Sequence, residues 1–383
     1  MREVYLDYNA SAPLDERVVE EMRPVLSEAV GNASSVHRFG RRQAALVDEA
    51  REHVAELVGG HPGGVVFTSG ATEANNLALQ GAVAAMTGGA ARLMVSAIEH
   101  ASVSRTAQWL ADRGLVKLEV VGVTAAGWVR PDMVAELIGP DVVVVSVMAA
   151  NSETGVLTPV GEIAEQVRER GVLFHCDATQ MAGRMSFDMG ELGVDLVSVS
   201  GHKICGPGGV GALICTRQAQ RRLEPLLMGG GHERGLRSGS LNVAGIVGLG
   251  AAARLAAEER LQEAGRVSAL RDRLVAEMMS RLEGVHENGD VKRRLPNTAN
   301  VRFVGADSEA VMANMDPVAV SAGSACSAGS IEPSRVLLAM GLSRDAAFES
   351  VRFSLGRFTS EEDIDLAVDV AVRAVERVRS MTS

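Results

Sequence analysis

Ser200-Gly201-His202-Lys203-Ile204-Cys205-Gly206-Pro207-Gly208-Gly209 is the stretch on which the reading of this chain turns. An apolar run over 194–199 leads into it and another over 210–215 leaves it, so a lysine sits on a glycine-rich turn between two expected strands. Small residues and a histidine frame Lys203, a setting in which loss of water lowers an amine's pKa and prepares it for Schiff-base chemistry. An ordinary loop lysine beside a tight turn explains this stretch equally well, so its neighbours have to decide.

Outward from the turn, apolar runs at 93–97, 118–121, 142–148, 172–176, 196–199 and 209–215 alternate with helical patterns or loops. Near-continuous apolar strands are those of a buried parallel sheet, so an α/β domain is expected. In such sheets ligands bind beyond the carboxyl ends of the strands. Thr72, His100, Asn151, Asp177, Gln180 and the lysine turn all fall there. Each also has a plainer explanation: Asp177 as a turn former or helix cap, His100 as a structural histidine, Asn151 as turn chemistry. Ahead of them, Val65-Val66-Phe67-Thr68 reads as a strand, Ser69-Gly70-Ala71-Thr72 as a small-residue turn, and the run to Met86 as a helix. Free N–H groups with the Ser69 and Thr72 hydroxyls would make an anion site at that helix start, unless Thr72-Glu73 is simply a cap.

The totals narrow the class. At 383 residues, 46% hydrophobic and 22% charged, the chain can bury a large core in two domains. A net charge of −10 without any long Lys/Arg run argues against direct nucleic-acid binding or an anionic membrane surface. The opening residues hold no apolar core of signal-peptide length, and the nearest candidate for a membrane span, 241–253, is too short and glycine-rich to cross a bilayer, so a cytoplasmic protein is expected. Cys176, Cys205, Cys215 and Cys326 show neither CxxC nor zinc-ligand spacing, which fits a reducing compartment and no resident metal.

At the other end of the chain, a helical pattern runs from about Val243 to Leu282, with breaks expected near Gly248, Gly250 and Gly265. Strands over 298–303 and 351–355 and helices over 308–315, 334–340 and 360–379 suit a smaller α+β domain. The expected division is a large α/β domain over 15–259 and a small domain formed by 1–14 with 260–383. Near the start, 42–58 carries a helical apolar period ended by Gly59-Gly60.

Taken in order, YLDYNASAP, TSGATEANN, IEHASV, NSETG, DATQ, SGHK with GPGGVGAL, GGGHERGLRSGSLN, SAGSACSAGS and VRFSLGRFT resemble the class V aminotransferase family of pyridoxal phosphate enzymes, and within it cysteine desulfurases of the NifS/IscS type. The resemblance covers nearly the whole chain. It implies the aspartate aminotransferase-like fold type I and a homodimer. It also implies that Lys203 carries the cofactor as a Schiff base, Asp177 pairs with the ring nitrogen, Gln180 bonds the ring oxygen and His100 lies over the ring. Ala71, Thr72, Ser200 and His202 would hold the phosphate, completed by Ser240 of a second subunit, and Asn151 and Arg352 would bind the substrate carboxylate. Cys326, in a run of small residues too polar to pack as core, would take the sulfur of L-cysteine as a persulfide, releasing alanine, with His100 managing the thiol proton.

Departures from the family pattern are small: Cys205 stands where many relatives have an aromatic residue, and Gly208 where lysine is frequent. The chain ends at Ser383 without the longer tail some desulfurases use on an iron–sulfur scaffold protein. The sulfur acceptor therefore stays open between such a scaffold, tRNA or DNA thiolation and other routes, as does transient cluster ligation by Cys326. Two rival readings are a pyridoxal phosphate lyase or aminotransferase in which Cys326 is incidental, and a non-catalytic protein that docks a sulfur carrier. The intact Lys203, Asp177, His100 and Arg352 set speaks against the second.

Overall fold

The structure, a computed structural model, describes residues 2–28, 30–86, 91–322 and 332–382. Cys326 lies outside them. The described strands are β1 (Val4–Tyr5), β2 (Val65–Thr68), β3 (Arg92–Ser96), β4 (Lys117–Val121), β5 (Val142–Ser146), β6 (Leu173–Asp177), β7 (Leu196–Ser200), β8 (Gly211–Cys215), β9 (Val285–Glu287), β10 (Thr298–Phe303), β11 (Val318–Ala319) and β12 (Ser350–Ser354). The helices are α1 (Glu16–Glu28), α2 (Arg38–Leu57), α3 (Ala71–Ala84), α4 (Ala101–Asp112), α5 (Pro131–Leu137), α6 (Val160–Arg168), α7 (Met189–Leu192), α8 (Arg217–Gln220), α9 (Val243–Arg281), α10 (Ser308–Ala313), α11 (Arg335–Ala339), α12 (Arg344–Phe348) and α13 (Glu361–Thr382).

Seven strands form the main sheet in the order β2-β8-β7-β6-β5-β3-β4, all parallel except β8, which runs against both its neighbours. The apolar runs that suggested buried strands are buried on both faces because alternate residues enter different cores. Val145, Phe174, Val197 and Ile214 pack with α2, α6 and the first half of α9. Their neighbours Val144, Leu173, Leu196 and Leu213 pack with α3 and α4. Since β8 is antiparallel, the carboxyl ends of β2 and β7 meet its amino end, and Thr68 and Ser200 both pair with Gly211. That edge of the sheet collects the candidate site residues.

A further core gathers Val267 to Met278 of α9, Ile364 to Val378 of α13 and the antiparallel sheet β12-β10-β9, together with Val4 and Leu6 from the start of the chain. The expected breaks in the long helix are absent: α9 is one helix of 39 residues. Gly248 and Gly250 serve close approach instead. A Cβ at Gly248 would meet Met22 and Pro207 at 2.5 and 2.8 Å, and one at Gly250 would meet the Ala50 backbone at 2.6 Å. These glycines let α1 and α2 lie against the helix, and tertiary packing outweighs their poor helix propensity. Among the described residues no helix is long and apolar enough to cross a membrane.

Candidate active site

The helix start after β2 has the form expected of an anion site. The N-cap of α3 is Gly70, at φ 150°, and no side chain caps it. Thr72 is therefore not the cap, and Glu73 reaches back to accept from Ser69 N at 2.7 Å while Arg237 Nε donates to its other oxygen at 2.8 Å. The first N–H groups of a 14-residue helix are thus left for a ligand, with the Ser200 hydroxyl facing Gly70 across the edge of the sheet.

Asp177 ends β6 and is buried. One of its oxygens accepts from Thr179 N at 3.0 Å and the other from Asn75 Nδ2 at 2.8 Å. Asn75 Nδ2 also donates to Ser102 Oγ at 2.8 Å, and Ser102 Oγ lies 2.8 Å from His100 Nδ1. His100 is the N-cap of α4, its Nδ1 accepting from Ser102 N at 3.1 Å. A continuous hydrogen-bonded path therefore joins the aspartate to the histidine, through two residues that sequence inspection passed over.

Lys203 stands on the turn after β7, and its Nζ donates to the main-chain oxygens of Asn9 and Ala10, each at 2.6 Å. Gln180 Nε2 donates to the same Asn9 oxygen at 2.9 Å, and Arg184 holds the other end of the Gln180 amide. His202 is pulled down to about 4 by burial and by the cations Lys203 and Arg184, so it is neutral near neutral pH. Ser200 is buried, Ala71 half-buried, and Thr72 and Ser240 are exposed.

Arg352, on β12, is buried; its Nη2 donates to Asp7 Oδ1 at 2.5 Å and its Nη1 to Ser152 O at 3.0 Å, while its Nε has no hydrogen-bond partner among the described residues. Lys203 and Arg352 thus converge on one short stretch, 7–10. Asn151 is committed to its turn: Oδ1 accepts from Glu153 N, Thr154 N and Thr154 Oγ1, and Nδ2 donates to Ile98 O at 3.1 Å. Carboxylate binding by Asn151 would have to share that Nδ2. Glu153, raised chiefly by burial, accepts from the Ser334 hydroxyl. Ser321 pairs through its main chain with Arg352. Ser321 and Ser334 lie on either side of the stretch that contains Cys326.

Residues 4–367 match the aminotransferase class-V family. A cysteine desulfurase IscS from Anaeromyxobacter sp. (strain Fw109-5) is 46% identical over 380 residues, 99% of this chain and 94% of the relative. A NifS-like protein of known structure superposes with a TM-score of 0.91 at 33% identity, over 98% of this chain and 100% of the other. Another solved structure, SspA in complex with cysteine, gives a TM-score of 0.82 at 32% identity over 93% of this chain and 100% of the other. The chain belongs to the aminotransferase class-V family, on its cysteine desulfurase branch. The α/β sheet described above is accordingly the fold type I of pyridoxal phosphate enzymes.

For a cysteine desulfurase the thiols matter most. Cys176, Cys205 and Cys215 are free and buried. Burial pushes Cys176 well up, Cys205 to about 11 and Cys215 to about 12, which leaves little thiolate at any of them. Of the four cysteines in the chain, Cys326 is the one they leave. Sequence reasoning missed Asp7, Asn9, Asn75, Ser102 and Arg184. Asp7 and Asn9 stand in YLDYNASAP and Asn75 in TSGATEANN, so the stretches were seen but their side chains were given no task.

Proposed function

We propose that Cys326 is the residue on which this cysteine desulfurase takes up the sulfur of L-cysteine, with pyridoxal phosphate held at Lys203. The observation that carries the reading is that the neighbours of the Cys326 stretch are bonded to the site itself: Ser321 to the Arg352 main chain and Ser334 to Glu153. Cys326 lies five residues from Ser321, a reach of at most about 18 Å. The burial of the other three thiols supports the same choice.

The donor set fits pyridoxal phosphate. It offers an amine at Lys203, a buried carboxylate at Asp177 whose oxygens each hold one donor and keep a further lone pair, and an uncapped helix start for the phosphate. When bound, the cofactor would supply an electron sink for bond cleavage at the amino acid. Asp177 would keep its ring nitrogen protonated and Gln180 would bond the ring oxygen. His100 would contact the ring, and Ala71, Thr72, Ser200 and His202 would hold the phosphate, with Ser240 from a second copy. Arg352, with Asn151, receives the substrate carboxylate. Lys203 moves the α-proton. The sulfur leaves the substrate's β-carbon for Sγ of Cys326, giving alanine and a Cys326 persulfide.

The active form is a homodimer, consistent with the exposed Val36, Phe39 and Met228, which suit burial against a second copy. The persulfide passes to an acceptor protein, of which an iron–sulfur cluster scaffold is the type we favour, in the cytoplasm. The deciding experiment measures alanine and sulfide formed from L-cysteine with a thiol reductant. Equal yields in the wild type, abolished by Cys326→Ala with the cofactor absorbance retained, support the reading. Unchanged turnover in Cys326→Ala overturns it in favour of a lyase.

A further inference from the structure

We propose that Asn75 and Ser102 are positioning residues that hold the neutral form of His100 with its proton on Nε2, so that the imidazole presents a hydrogen-bond donor on the edge away from α4. The inference rests on the proposed site and deepens it.

The assignment follows from counting donors along the path. Asp177 is a carboxylate and can only accept, so Asn75 must turn its NH2 toward it; the opposite orientation would set an amide oxygen 2.8 Å from a carboxylate oxygen. With the amide so oriented, its second N–H points to Ser102 Oγ at 2.8 Å. Ser102 Oγ accepts on that side and lies 2.8 Å from His100 Nδ1, and because the Ser102 main-chain N–H can only donate to that nitrogen, the proton between Oγ and Nδ1 is the hydroxyl's. The Ser102 backbone N–H donates to the same nitrogen at 3.1 Å, as the N-cap bond of α4. Two donors converge on Nδ1, and a proton there would break both bonds. The neutral ring is left protonated at Nε2, on the edge away from α4, and that edge has no lone pair with which to accept a proton. The arrangement has a cost: among the described residues Asn75 Oδ1 has no hydrogen-bond partner although it is buried, so the amide gives up one of its own bonds to keep both donors in place. Because Asn75 touches Asp177 and Ser102 together, the same residue that orients the ring-nitrogen partner also sets the histidine.

The test is tautomer-sensitive nitrogen NMR on histidine-labelled protein, with and without pyridoxal phosphate. The His100 signal is identified among the eight histidines by its loss in His100→Gln. Wild type is expected to show Nε2 protonated and Nδ1 bare. Ser102→Ala removes one donor from Nδ1 and should raise the midpoint of imidazolium formation by about one pH unit, a tenfold change in the protonation equilibrium. Ser102→Thr should restore the wild-type midpoint, and Asn75→Ala should move it in the same direction as Ser102→Ala. Glu153 and His202, which interact electrostatically with the ring, are unaltered in all of these variants. A wild-type ring protonated at Nδ1 overturns the proposal, as does a Ser102→Ala protein with both tautomer and midpoint unmoved. A protein that binds no pyridoxal phosphate would instead defeat the functional reading and leave the tautomer result to stand by itself.

Discussion

Arg352 is tied to Asp7, its Nη2 2.5 Å from Oδ1, across 345 residues of sequence. The pair joins β12 to the beginning of the chain, and Arg352 is only 5% exposed in its side chain, against 18% for Asp7. Removing one member of a buried pair leaves the other charge uncompensated. Asp7→Ala is expected to lower the unfolding free energy by about 3 kcal/mol, read from urea denaturation. An Asp7→Ala/Arg352→Ala double-mutant cycle should recover much of that loss. Additive losses would show that the two residues do not interact.

Glu233 makes a second such pair. Arg51 donates to both its oxygens, at 2.8 and 2.9 Å, and Phe67 N donates to one of them at 2.8 Å. The bond to Phe67 fixes β2, whose end leads into the turn proposed to hold the phosphate. Glu233→Ala should cost about 3–5 kcal/mol and weaken pyridoxal phosphate binding, measured by thermal melting and by cofactor titration. A stable variant with unchanged cofactor affinity would separate this pair from the site.

Glu99 makes stability depend on pH. It is fully buried and raised to about 8 by burial, with Asp177 adding a smaller push in the same direction. The unfolded carboxyl releases its proton near 4.5 while the native one keeps it to about 8, so the native state binds the extra proton between those values. The contribution is fully present below 4.5, falls as pH rises through that window and is gone above about 8. His175 and His202, both pulled to about 4, act the other way and only below their ordinary 6.5. Between neutral pH and 8 the wild type should therefore lose stability, and Glu99→Gln should show less of that loss in urea midpoints.

Two glycines near Lys203 should respond in opposite ways. A Cβ on Gly211 would lie 2.6 Å from Val199 O and 2.7 Å from Gly70 Cα, so β8 would have to move from backbone on both sides. A Cβ on Gly208 would meet no atom of the described residues within 4 Å. Gly211→Ala is expected to destabilise by about 1–3 kcal/mol and to impair cofactor retention. Gly208→Lys should stay within about 0.5 kcal/mol of wild type. Denaturation curves of the two variants check both.

The large sheet was legible because parallel strands covered on both faces write themselves as apolar runs, and a strand end marks a ligand edge without knowledge of any contact. Asp177 and Lys203 could be singled out on that ground alone. The stretch 7–10 could not, because its partners lie 171, 194 and 345 residues away, at Gln180, Lys203 and Arg352. Asn75 and Ser102 look like ordinary helix residues until α3 and α4 are laid side by side. Gly248 and Gly250 misled for a related reason: local propensity says break, whereas their job is to admit neighbouring helices.

The 39 residues of α9 form a rod about 58 Å long, whose first half is built into one core and whose second half is built into the other. A rod shared in this way leaves no seam at which one half of the molecule can melt alone, since losing either core frays the helix that supports the other. Heat should take the chain apart in one cooperative step, and any opening of the site during turnover has to be found in short loops rather than in a swing of one half against the other.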